Sequence, residues 1–179
     1  MSSRFERIGS QTVYEGRIVS VRAERFRHED GEEVEREIVG HPGAVGIVAH
    51  DGESIFLVRQ PREPVGSPDL LEIPAGKLDE EGEDPLATAK RELGEEIGKA
   101  AGEWQSLGSF YTSPGFTDEE VHLFLATGLR DVEPPDVEED ERIELVVRPL
   151  ADLDALIDES RDSKTLIGLY ELRRRLARG

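Results

Sequence analysis

The sequence predicts an α+β or mixed α/β sandwich, and three observations carry that expectation. β-rich and helical stretches follow one another in the order β-rich, helix, β-rich, helix. Residues 84–98 hold a full set of helix start and stop signals. The run Val45-Gly-Ile-Val-Ala is nearly all apolar, as expected of a strand covered on both faces. A chain of 179 residues fits one domain, or one domain with a small appendage, and buries roughly 70% of its unfolded surface.

Residues 11–27 alternate in short β-rich runs, Thr12-Val-Tyr and then Arg17-Ile-Val-Ser-Val-Arg, and residues 33–39 continue the style. His28-Glu-Asp-Gly-Glu-Glu between them reads as a hairpin turn. Two or three strands bury too little to be stable alone. This antiparallel unit, residues 1–40, therefore packs on the main domain or pairs with a second copy. Residues 41–179 form the main domain, opening on a second hairpin with strands near Val45 and Ile55. The segment 61–68 is a loop with three prolines. Leu70-Leu-Glu-Ile-Pro is a short strand stopped by its proline. Residues 104–111 and 121–126 read as strands on either side of Thr112-Ser-Pro-Gly-Phe-Thr. Residues 131–144 hold eight carboxylates and two prolines, the composition of a solvated loop. A strand at 143–147 and helices at 151–157 and 165–177 complete the chain. The last helix carries Arg173-Arg-Arg near its C-terminus, where cations suit the helix dipole.

Composition narrows the function. Lys plus Arg total 22 against 40 Asp plus Glu, a net charge of −18. That excess works against binding nucleic acid or an anionic membrane, and it suits cation binding where carboxylates converge. The absence of cysteine excludes disulfides, thiolate metal sites and a Cys nucleophile. No apolar run approaches the ~18 residues of a membrane span. The start, Met1-Ser-Ser-Arg-Phe-Glu, has no signal-peptide pattern. A soluble cytoplasmic protein is expected.

The chemistry lies in the helix at 84–98. Asp84 is a good N-cap, Pro85 sits at N1, and Gly98 closes the end in a left-handed turn. Leu86, Ala89, Leu93 and Ile97 share one stripe, the buried one. Glu92, Glu95 and Glu96, at i, i+3 and i+4, share another face. Their repulsion costs several tenths of a kcal/mol per close pair. A hard divalent cation, which takes carboxylate oxygens, water and substrate phosphate as ligands, reverses that sign. The competing reading is a solvated acidic face.

The wider segment decides between them. Gly76, six residues, Glu83, seven residues, then Arg91-Glu-Leu-Gly-Glu-Glu-Ile-Gly closely resembles the Nudix box. That pattern is Gly, five residues, Glu, seven residues, then Arg-Glu-apolar-x-Glu-Glu-x-Gly-apolar. The chain departs twice: its loop before Glu83 is one residue longer, and Lys99 stands at the final apolar position. The resemblance implies a Nudix fold, an α/β/α sandwich with a mixed central sheet. It implies hydrolysis of a nucleoside diphosphate linked to another group. It assigns Glu92, Glu95 and Glu96 to metal, Mg²⁺ with Mn²⁺ as the alternative, with Glu96 also a catalytic candidate and the Ala75 carbonyl a further ligand. Glu83 and Arg91 are expected to pair and clamp loop to helix, with Gly76 and Gly98 structural. Bound metal would neutralise the bridging phosphates, orient a water in line and acidify it, leaving catalysis mostly to positioning and electrostatics.

Four further features resemble the ADP-ribose pyrophosphatase branch of that family. Gln60-Pro-Arg62, beside Arg59, matches a motif whose arginine meets the diphosphate, a task suited to a bidentate guanidinium. Leu71-Glu-Ile-Pro-Ala-Gly76 matches the approach to the box, with Glu72 as a ribose contact. Pro114, in Tyr111-Thr-Ser-Pro-Gly-Phe116, follows Gly98 by 16 residues, so Pro114, Gly115 and Phe116 are substrate-binding candidates. The acidic loop before Ile143 matches the one that supplies the catalytic glutamate: Glu141 first, Glu139 second. Each feature has a plainer alternative: exposed arginines, an edge-strand polar residue at Glu72, an ordinary Pro-Gly turn, a core aromatic at Phe116, acids in a solvated loop. Trp104 reads as core, and His41, His50 and His122 show no ligand spacing.

The resemblance also implies a homodimer in which the N-terminal unit exchanges between protomers and helps build the adenine site, where Tyr14, Arg36 and Glu37 are candidates. The expected reaction is metal-dependent hydrolysis of ADP-ribose to AMP and ribose 5-phosphate. The alternatives are another nucleoside diphosphate sugar as substrate, or a non-catalytic module that senses ADP-ribose.

Overall fold

Alternating charged and β-branched residues in the first forty positions do form strands, and they start earlier than their apolar content suggests. The computed structural model describes residues 4–78, 82–133 and 142–178. Strands β1 (Phe5–Glu15), β2 (Ser20–His28) and β3 (Glu33–Gly40) make an antiparallel sheet in that order. β1 is exposed along nearly its whole length and shifts register at Arg7/Gly9 and Thr12/Tyr14. Its strand identity rests on backbone pairing rather than on a buried face, which is why hydrophobic pattern alone missed its first residues.

Residues 4–43 and Tyr111–Glu120 make one compact unit, and the described residues of 44–110 and 121–178 the other. In the first, Glu24 is 3% exposed and takes bonds from Arg7 Nη1 at 3.2 Å, Arg22 Nε at 3.1 Å and Ser10 Oγ at 3.4 Å. The 111–120 segment is tied to the end of β3. The Val39 N–H donates to Phe116 O at 2.7 Å, Thr117 Oγ1 donates to Val39 O at 2.8 Å, and Asp118 receives both Arg22 and the His41 N–H.

The second unit is a sandwich. Strands β4 (Ala44–His50), β5 (Ser54–Arg62), β6 (Ser67–Glu72), β7 (Ala75–Lys77), β8 (Lys99–Tyr111), β9 (Glu120–Asp131) and β10 (Glu144–Pro149) form one sheet. Its main order is β10-β5-β4-β9-β8, with β6 beside β5 and β7 beside β4. β4 runs parallel to β9 and antiparallel to β5 and β7, so the sheet is mixed, as expected. Helix α1 (Pro85–Ile97) covers one face through Ala89, Leu93 and Ile97 against Val45, Ile47, Phe56, Val58 and Phe124. Helices α2 (Leu153–Glu159) and α3 (Ser163–Leu176) cover the other through Leu156, Leu169 and Leu172 against Val48, Ile55, Leu57 and Leu123. Successive strand residues thus feed opposite cores, the period-two rule seen from both sides. No helix among the described residues is long and apolar enough to cross a membrane.

Candidate active site

Local chemistry sets the frame of α1. The Asp84 side chain accepts the Leu86 N–H, Pro85 occupies the first turn, and Gly98 closes the helix at φ 62°, its N–H bonded to Gly94 O at 3.1 Å. With one stripe fixed in the core, Glu92, Glu95 and Glu96 are left partly buried on the flank. Two of them fold onto β7. The Ala75 N–H donates to Glu96 Oε2 at 2.9 Å. Glu92 lies so close to Gly76 that a Cβ there would sit 2.0 Å from Glu92 Oε1; the glycine exists to let a carboxylate in.

Arg91 does not make the contact expected of it. Its guanidinium reaches Glu95 Oε2 at 2.6 Å and Glu92 Oε1 at 2.9 Å, and Glu83 acts on it only through space. Glu95 is one helical turn away and Glu92 adjacent, so those partners are at hand within the helix itself. Burial opposes the Arg91 charge, but these carboxylates outweigh it and raise its pKa.

A second charged cluster is built by a break in β5. Its pairing with β6 shifts between Gln60 and Arg62, around Pro61, which has no N–H to give. Arg62 then grips Glu72 with both arms, Nε to Oε1 at 2.6 Å and Nη2 to Oε2 at 2.9 Å. Lys164 also donates to Glu72 Oε2 and lies 3.1 Å from Asp162 Oδ1. Burial alone would raise the Glu72 carboxyl, but Arg62 and Lys164 hold it below its ordinary value. Glu72 is wholly buried, so a ribose hydroxyl reaches it only by displacing a cation. Glu96 contributes to the field at Arg62. Arg59 lies opposite Leu71 on one side and Glu144 on the other.

Other expected site residues lie in the first unit. Pro114, Gly115 and Phe116 form an exposed turn, and Tyr14, Arg36 and Glu37 are exposed on their strands. Arg36 lines a hollow of about 160 Å³ with Phe5, Phe26, His28 and Val34.

The NUDIX domain profile matches residues 40–167. The chain belongs to the Nudix family. The methanol dehydrogenase activator of Bacillus methanolicus is 42% identical over 169 residues, 92% of this chain and 90% of that one. The ADP-ribose pyrophosphatase of Bacillus subtilis is 40% identical with the same two coverages. A crystal structure of an ADP compounds hydrolase has the same fold, with a TM-score of 0.85 over 98% of this chain and 95% of that one, at 22% identity.

The chain departs from the Nudix box in the loop before Glu83 and at Lys99. The longer loop includes residues 79–81, outside the described residues. Lys99, where an apolar residue is usual, sets its ammonium 5.1 Å from the centre of the Phe56 ring and pairs with Asp131. Its stem and charge cap an aromatic that an aliphatic would otherwise cover.

The Nudix glutamates offer only oxygen donors, which fits a hard divalent cation of the kind Nudix hydrolases generally use. Among the described residues, no three acidic or histidine side chains already form a cage. Arg91 and the Ala75 N–H hold the carboxylates in the arrangement seen. Glu139 and Glu141, the candidate bases, lie outside the described residues. Lys164 was missed in the sequence, although Asp162 three residues before Thr165 was a legible cap signal for α3.

Proposed function

We propose that this Nudix chain hydrolyses ADP-ribose to AMP and ribose 5-phosphate. One observation carries the reading. Glu92 and Glu96 both fold onto Ala75 and Gly76, while Arg62, the partly exposed cation of the neighbouring cluster, lies within the field of Glu96. Anionic oxygen donors for a metal and a fork-shaped donor for phosphate within one unit support the reading. The relatedness to the Bacillus subtilis ADP-ribose pyrophosphatase supports the choice of substrate.

Glu92, Glu95, Glu96 and the Ala75 carbonyl would hold the cation, Mg²⁺ by preference. When bound, the cation supplies charge neutralisation at the diphosphate and an acidified water. Arg62 binds the diphosphate, in one plane and with two bonds. Glu141, or Glu139 in its place, accepts the proton of the attacking water. One P–O bond forms to that water and the bond from the same phosphorus to the bridging oxygen breaks, leaving AMP and ribose 5-phosphate. Pro114, Gly115 and Phe116 would line the nucleoside. The same reading makes the protein a cytoplasmic homodimer in which the N-terminal sheet is exchanged. The scarcity of buried apolar side chains in that sheet supports this.

Hydrolysis rates on ADP-ribose, GDP-mannose, UDP-glucose and NADH with Mg²⁺ test the proposal. ADP-ribose is expected to turn over fastest with AMP as product. Faster turnover of another compound reassigns the substrate. Tight ADP-ribose binding without AMP release makes the chain a sensing module.

A further inference from the structure

Glu72 presents an electrostatic problem that the diphosphate role of Arg62 makes acute. Its side chain is 1% exposed and carries a full charge, stabilised by Arg62 and Lys164 together. Arg62 is 40% exposed on its side chain and Lys164 only 14%, so Arg62 is the partner a ligand can reach. A buried carboxylate stripped of its cation is strongly unfavourable. An Arg62 that was the sole partner of Glu72 would therefore be locked in place.

We propose that Lys164 is a positioning residue that makes Arg62 available to substrate, by holding the buried Glu72 charge while the Arg62 guanidinium turns to the diphosphate. The position of Lys164 is fixed from below. The Ile73 N–H donates to Thr165 Oγ1 at 2.9 Å, and Thr165 donates in turn to Asp162 Oδ2 through Oγ1 at 2.6 Å and its N–H at 2.9 Å. This cap seats the first turn of α3 against the residue after Glu72, with Lys164 between the two carboxylates. The Lys164 ammonium bridges Asp162 Oδ1, at 3.1 Å, and Glu72 Oε2, while the Thr165 donors bind the other Asp162 oxygen. The inference rests on the reading of Arg62 as a diphosphate ligand and not on which nucleotide it meets.

Steady-state kinetics on whichever nucleoside diphosphate compound the wild type hydrolyses fastest will test it. Arg62→Met is expected to raise KM, which checks the underlying reading. Lys164→Met is expected to raise KM about tenfold with kcat within about threefold, because Glu72 then holds Arg62 in competition with the diphosphate. Lys164→Arg keeps the charge and stays nearer the wild type. Lys164→Gln, which retains a donor but no charge, is the second variant should Met fail to fold, and moves KM the same way. The double variant Glu72→Gln with Lys164→Met removes both charge and counter-charge, and KM is expected to fall back toward the wild type. A raised KM in Arg62→Met with an unchanged one in both neutral Lys164 variants overturns the proposal and spares the role of Arg62. A double variant as impaired as Lys164→Met also overturns it, since a merely structural lysine gives that result. An unchanged KM in Arg62→Met overturns both.

Discussion

Among the described residues each unit buries one carboxylate, Glu24 in the first and Glu72 in the second, and their surroundings differ. Glu24 is the buried side chain of a three-stranded sheet whose other side chains are half-buried or exposed, and its partners include Arg7, 61% exposed on its side chain. Glu72 sits at the margin of a seven-stranded sheet whose two faces bury aliphatic clusters. In the first unit an ionic hub stands where a core would be. In the second the hub is an addition to a core that already exists. Hydrophobic burial scales with apolar area and is not weakened by ionic screening, whereas ion pairs with exposed partners are. The two sheets should therefore fail under different insults.

The largest effect expected is from Leu93→Ala, which empties a fully buried position between α1 and the sheet. It should cost about 2–5 kcal/mol in urea denaturation, by an amount that does not shrink with added sodium chloride. A loss that shrinks with salt would break the comparison. Glu24→Gln should cost less, about 1–3 kcal/mol. Hydrogen exchange should place that loss in β1 and β2, and salt near 0.5 M should weaken the wild-type protection of the same strands by screening. Exchange that rises equally in α1 would contradict it.

The smallest effect is on the acid limb. Glu72 has a folded pKa below its ordinary 4.5, so its contribution to stability is complete above that value and is lost as pH falls through the lower folded value. Asp118 in the first unit is likewise held below 3.8, burial raising it but Arg22 and the His41 N–H prevailing. With half its side chain exposed, it contributes less. Denaturation midpoints followed from about pH 6 to pH 3 should fall more steeply for the wild type than for Glu72→Gln. Asp118→Asn should change the slope less. An identical slope in Glu72→Gln would show that the Glu72 ion pairs do not hold its proton off.

The ends of α1 were legible because they are decided within a few residues, by Asp84, Pro85 and Gly98. The two cores were not assigned from the sequence, because β4 reads as one apolar run. Its residues divide between helices that follow it by about 45 and 120 positions, at Leu93 and Leu169. The parallel pairing of Ala44–Ala49 with Val121–Ala126 likewise leaves no local trace. Neither does Lys164 opposite Glu72, 92 residues apart. The Glu83–Arg91 pair shows the reverse: a contact expected from the box gave way to Glu92 and Glu95, which the helix itself puts within reach.

The sequence by itself determined which carboxylates share a face of α1, where that helix starts and stops, and the family to which they belong. Capping and the 3.6-residue period act over single turns and need no other part of the chain. Only the tertiary structure decided which cations neutralise which acids, and that Glu72 and Glu24 are the buried acids among the described residues. Desolvation and pairing depend on every element that closes over a charge, and those elements come from distant parts of the chain.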